Sequence, residues 1–233
     1  MMRVFGLAVL AVLVVGVSSA TATIESSGWD DFPAGDTGVG VYAVDAPKPT
    51  DYTEPLLGKY GNVNEMVDNT IYHSAPNSLK LVDMSATGPS TPQAYIGWVE
   101  GLNVGDQVTA SVWVYDTVSG SPSGRIWGHY NANHDIDTYD GSANGNADYG
   151  SQTGWSQLSW TWTYTADDYG DIGDRTGLVI EFRTYSTDGD TVWIDDLEIT
   201  APDYATICKP QIPEPATLAL LAMGGLVALR RRK

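Results

Sequence analysis

Cysteine is almost absent from this 233-residue chain, which has only Cys208. No intramolecular disulfide can form, so the fold must hold by packing. Cations are nearly as scarce. Residues 23–212 hold seven Lys and Arg against 28 Asp and Glu, a formal charge of −21, more extreme than the −17 of the whole chain. A polyanion gains nothing from counterion release on nucleic acid or on an anionic membrane, which disfavours both as partners. Neutral glycans, cations and plain solubility remain compatible with it. Histidine is limited to His73, His129 and His134, without metal-ligand spacing, and there is no G-x-S-x-G nucleophile elbow. Among glutamates only Glu100, Glu181 and Glu198 lie on or beside predicted strands. A two-carboxylate glycosidase finds little support there, so the chain reads as non-catalytic, with a jelly-roll hydrolase as the lesser alternative. Helical periodicity is missing from the interior, and every long apolar run lies at a terminus.

At the N-terminus, Arg3 precedes the apolar segment Val4–Val17, and Ala20-Thr21-Ala22 supplies the small residues that a signal peptidase needs. Residues 1–22 therefore read as a helical secretory signal, cut after Ala22. The C-terminus has three parts: Pro213-Glu214-Pro215, an apolar run from Ala216 to Leu229, and Arg230-Arg231-Arg232-Lys233. The prolines keep the approach to the run extended and reachable by another protein. A helix of this run covers about 21 Å, short of a ~30 Å hydrocarbon core. The terminal cations would stay on the cytoplasmic side, leaving the preceding chain outside.

These three parts, in this order, resemble the PEP-CTERM sorting signal of Gram-negative bacteria, with Pro213, Glu214, Pro215, Arg230, Arg231 and Arg232 in the signal positions. The resemblance implies recognition and removal of the tail by an exosortase-type membrane transpeptidase. It also implies transient inner-membrane association and delivery to the cell surface or extracellular matrix, in organisms that commonly make exopolysaccharide. An ordinary C-terminal membrane anchor is the other reading, and it too leaves the domain facing outward.

About 190 residues remain between the two signals, enough for one β domain with a sizeable core. The expected division is a signal at 1–22, a β-sandwich at 23–200, a linker at 201–212 holding Cys208, and the sorting signal at 213–233. Strands are expected at Gly38–Ala46, Ser78–Asp83, Gln93–Glu100, Gln107–Tyr115, Arg125–Tyr130, Trp155–Thr165, Leu178–Thr184 and Thr191–Thr200. Alternation groups Ala94, Ile96 and Trp98 on one face, and Val108, Ala110, Val112 and Val114 on another. It also groups Leu158, Trp160, Trp162 and Tyr164 as core, and turns Val179, Glu181 and Arg183 outward. Asn131–Gly154 is too polar to pack and reads as a long functional or mobile loop.

Three stretches, Ile71–Asp83, Leu102–Asp116 and Thr191–Ile199, resemble in order the strands of secreted galactose-binding-like and carbohydrate-binding-module jelly rolls. The resemblance implies a single antiparallel β-sandwich that holds sugar on aromatics of its concave sheet or edge loops, often with one structural calcium. A sugar ring needs an exposed aromatic platform flanked by bidentate polar groups. Trp113, Trp127, Glu181 and Arg183 fit that need where their strands are neighbours. For calcium the candidates are Asp195 and Asp196, which strict alternation points to opposite faces, with Asp195 beside Trp193 and Leu197. The chain is thus expected to be a surface or matrix protein that binds extracellular polysaccharide, or else a purely structural one.

Overall fold

The computed structural model describes residues 22–36, 59–60, 63–85, 91–117, 124–145, 153–165, 174–184 and 189–210. The N-terminal signal before Ala22, the strand expected over Gly38–Ala46 and the whole sorting tail lie outside them. The described residues form strands β1 (Ala22–Ser27), β2 (Lys59–Tyr60), β3 (Val63–Asp68), β4 (Ser78–Asp83), β5 (Gln93–Glu100) and β6 (Gln107–Asp116). They continue with β7 (Arg125–Ala132), β8 (Ser142–Gly145), β9 (Gly154–Thr163), β10 (Arg175–Arg183), β11 (Thr191–Pro202) and β12 (Thr206–Cys208).

Two antiparallel sheets result. The first runs β3-β4-β11-β6-β9, with β1 also on β11; the second runs β12-β5-β10-β7-β8, with β2 also on β5. From β4 to β7 every connection crosses from one sheet to the other, and the crossing resumes from β8 to β12. The chain is an all-β sandwich of the jelly-roll kind. Its core follows from alternation: Val108, Ala110, Val112 and Val114 of β6 are fully buried, as are Ile126, Ile180 and Phe182 from the second sheet. Each such valine, isoleucine or phenylalanine contributes about 1.5–3 kcal/mol on leaving water, and alanine less.

Two bulges reverse faces that strict alternation assigns. Gly97 and Tyr95 pair with consecutive residues Ile180 and Glu181, so β5 carries one extra residue at Ile96. Ala94, Ile96 and Val99 then enter the core, while Trp98 emerges on the other face with Tyr95. The expected grouping of Trp98 with Ala94 and Ile96 fails for this reason. On β11, Asp195 and Glu198 pair with Trp113 and Ser111, and Asp196 takes φ 47°. Leu197 is thereby turned into the core with Val192 and Ile194, away from Trp193 and Asp195.

Three further expectations are corrected. Trp160 is 37% exposed because β9, which pairs only with β6 among the described residues, lies at the sheet edge. The segment after Asn131 packs: Asp140 is fully buried and its Oδ2 accepts from Arg175 Nε at 2.7 Å, while Arg175 lies 3.9 Å over the Tyr130 ring. An ion pair thus carries a polar loop into the interior, which hydrophobic pattern alone does not foresee. Finally, the sandwich does not end at residue 200. Ala201 pairs with Thr23, and β12 pairs Cys208 with Trp98, so the expected linker starts inside a strand and Cys208 is a buried sheet residue.

Candidate functional site

The site is the face of the second sheet that points away from the core. Register places Arg183 of β10 opposite Arg125 of β7 and Gln93 of β5. In the next row Glu181 lies opposite Trp127 and Tyr95, and in the third Val179 lies opposite His129 and Trp98. Alternation on β7 and β10 therefore sets Arg125, Trp127, His129, Val179, Glu181 and Arg183 on one surface.

Part of that surface is closed by the chain itself. Ile136, from the turn after β7, packs on Tyr95, Trp98, Val179 and Cys208. Val179 and Glu181, expected to face solvent, are buried here. Glu181 is 1% exposed and both its oxygens are engaged: Oε1 with His129 Nδ1, and Oε2 with Arg183 Nε at 2.5 Å. A buried carboxylate needs such partners to remain in a low-dielectric setting. Tyr95 and Tyr139 flank the His129 ring at 5.2 and 5.6 Å. Burial first, then the charge of Asp135, raises the Asp137 carboxyl above its usual range, while His129 pulls it back down.

Trp127 is half-buried at the open end of this face. Its Nε1 donates to Ser142 Oγ at 3.1 Å, which fixes the indole. The guanidinium groups of Arg183 and Arg125 lie 4.7 and 5.3 Å from the indole centroid. The structure therefore brings together Trp127, Glu181 and Arg183 of the four expected sugar-binding residues. Arg125, His129, Tyr139 and Ser142 join them without having been singled out. The alternation of β7 already placed Arg125 and His129 beside Trp127; only the identity of the neighbouring strand was missing.

Trp113 does not belong to this site. β6 lies in the first sheet and β7 in the second, so Trp113 and Trp127 project from opposite outer faces of the sandwich. The imidazole of His73 stacks on Trp113 with centroids 3.9 Å apart and planes at 14°.

Asp195 and Asp196 converge on the same turn instead of diverging, because of the bulge in β11. Asp195 Oδ2 accepts from His73 N and Ser74 N at 2.8 and 3.0 Å, and its Oδ1 accepts from Asp196 N at 2.8 Å. Asp196 Oδ1 accepts from Ser74 Oγ at 2.5 Å, and Oδ2 bonds His73 Nδ1 at 2.6 Å. Burial pushes the Asp195 carboxyl up to about 6, against the opposing pull of its three N–H donors. Calcium needs six to eight oxygens. Here all four carboxylate oxygens meet N–H, O–H or imidazole groups, and the described residues contain no group of three His, Cys, Asp or Glu able to hold a metal. As they stand, this pair fits an anchor for a turn and does not fit a calcium cage.

Comparison with known proteins adds the following. Residues 211–233 match the family model of the PEP-CTERM protein-sorting motif. The chain carries a PEP-CTERM sorting motif. That motif marks it for export and exosortase-dependent sorting. No curated protein matches the chain. Among solved structures, the arabinose-bound α-L-arabinofuranosidase MgGH51 is 16% identical over 64% of this chain, with a TM-score of 0.42, and this chain spans only 23% of it. The CBM22-1 xylan-binding domain of Paenibacillus barcinonensis Xyn10C is 13% identical over 72% of this chain and 96% of its own, with a TM-score of 0.41. A cyclase from Fischerella sp. is 16% identical over 84% of this chain and 100% of its own, with a TM-score of 0.43. A carbohydrate-binding module is thus among the solved structures to which this chain is similar.

Proposed function

We propose that this protein is exported by a Gram-negative bacterium to its surface or matrix, where it binds extracellular polysaccharide without catalysing a reaction. An exosortase-type transpeptidase removes the tail after about Pro213. The observation that carries the binding reading is Trp127: a partly accessible indole, fixed by Ser142, with two guanidinium groups beside it and Glu181 beneath. A sugar lays its C–H face on such a ring and its hydroxyls on the flanking donors. Glu181 serves as a positioning residue, since both its oxygens are committed to His129 and Arg183; this supports recognition over hydrolysis. One observation favours a purely structural role instead: Glu181, His129 and Tyr95 are only 1, 2 and 3% exposed.

A soluble glycan panel, followed by quenching of tryptophan fluorescence, separates the two. Binding predicts a saturable response to at least one polysaccharide, and silence across the panel would leave the structural role. Mass spectrometry of the secreted protein tests the sorting half, with a mature form retaining Arg230–Lys233 as the contrary result.

A further inference from the structure

We propose that β12 and the two residues after it form a strap that withholds the sorting signal from the transpeptidase until the strap lifts off the sandwich; the proposal rests on the sorting reading above. The central observation is where the fold stops. The matched motif begins at residue 211, and its immediate neighbour Pro210 is buried. Only Gln211 and Ile212 stand between Pro210 and Pro213, so the two prolines are at most about 11 Å apart along a fully extended chain. An enzyme that closes around Pro213-Glu214-Pro215 therefore meets the sandwich almost at once.

The strap is fastened along its whole length. Thr206, Ile207 and Cys208 pair with Glu100, Val99 and Trp98 of β5. Cys208 is buried in the cluster of Tyr95, Trp98 and Val179, and Ile207 packs against the main core. Beyond β12, Lys209 Nζ donates to the backbone oxygen of Ser26 at 2.6 Å and pairs with Glu25 Oε2 at 2.8 Å. Both partners lie on β1, so Lys209 reaches across to the first sheet and closes only on a sandwich whose opening strand has joined β11. Proteins that take a peptide in extended form bond its main-chain N–H and C=O groups and need room beside it. β12 already gives main-chain bonds to β5, which also covers that side of the segment. The fastening is nevertheless light. β12 makes three pairs with one neighbour among the described residues, and the Lys209–Glu25 clasp is 24% and 40% exposed, where an ion pair is weak. A short edge held this way opens locally far more often than the whole domain unfolds. The strap therefore sets the rate at which the signal is surrendered and does not bar it outright.

The experiment follows shortening of the full chain by pulse–chase in Gram-negative cells that carry an exosortase. A flexible Gly-Ser spacer of about ten residues, inserted between Pro210 and Gln211, moves the signal clear of the sandwich and is expected to speed shortening about tenfold. Lys209→Ala, which removes the clasp alone, is expected to speed it about threefold. Thr206→Cys combined with Glu100→Cys joins direct cross-strand partners, whose spacing suits a disulfide. That crosslink is expected to slow shortening about tenfold, and dithiothreitol added to the culture should restore the wild-type rate. The spacer leaves every residue of the domain unchanged, so it decides the matter even where the crosslinked form does not fold. Equal rates for the spacer form and the wild type overturn the strap and leave the sorting reading standing. Slower shortening of the spacer form overturns it in favour of a fold that presents the signal to the enzyme. No shortening of any form overturns the sorting reading and this proposal with it.

Discussion

Asp195 accepts the backbone N–H of His73 at 2.8 Å across 122 residues of chain, tying the turn before β4 to the bulge of β11. The tie couples two neighbouring strands of the first sheet that lie far apart in sequence, and makes a carboxylate the keystone of a turn. Asp195→Ala removes the acceptor of three N–H groups and is expected to cost about 2–4 kcal/mol, read as a lowered urea midpoint with unchanged slope.

The same carboxylate gives a pH signature. Its folded-state value is raised from 3.8 to about 6 by burial, so the native state holds this proton more tightly than the unfolded chain does. The stabilising contribution is complete below about pH 4 and is lost as pH rises through about 6. Melting temperature measured from pH 4 to pH 7 should therefore fall more steeply in the wild type than in Asp195→Asn. Parallel profiles would show that Asp195 does not titrate in this window.

Because the oxygens of Asp195 and Asp196 already meet N–H, O–H and imidazole groups, neither saturating calcium nor a chelator should move the melting temperature. A rise of several degrees on adding calcium would show that an ion is held after all.

The Arg175–Asp140 pair is buried on both sides, with side chains 3% and 0% exposed. Removing one partner strands the other charge, so Arg175→Ala is expected to cost about 3–5 kcal/mol. The Lys209–Glu25 pair, 24% and 40% exposed, is the control: Lys209→Ala should cost under about 1 kcal/mol. Urea unfolding of both variants checks the contrast.

Much of the sandwich was legible in the sequence, and the residues show why the remainder was not. β6 was read with its faces correctly assigned, because valine and alanine alternate with threonine, serine and aromatics and no bulge intervenes. Trp98 and Leu197 were assigned to the wrong faces because a bulge is set by register against a partner strand, and one extra residue inverts everything beyond it. β3, with the sequence VNEMVD, and β12, with TIC, are too polar or too short to announce themselves, and each exists because a neighbouring strand, β4 or β5, offers it an edge. The candidate site was half legible for the same kind of reason. Alternation correctly paired Glu181 with Arg183, and Arg125 with Trp127 and His129. Whether Trp113 or Trp127 stood next to Glu181 depended on which sheet each strand joined, a property of topology that no local pattern carries.

The central claim is that sugar is recognised on the face bearing Trp127 and not on the opposite face bearing Trp113. The most direct measurement is isothermal titration of a responsive polysaccharide into the wild type, Trp127→Ala and Trp113→Ala. Trp127→Ala should lose at least about tenfold in affinity, whereas Trp113→Ala, which removes the ring stacked on His73, should lower the melting temperature and bind like the wild type. Unchanged affinity in Trp127→Ala, or loss confined to Trp113→Ala, would contradict the account.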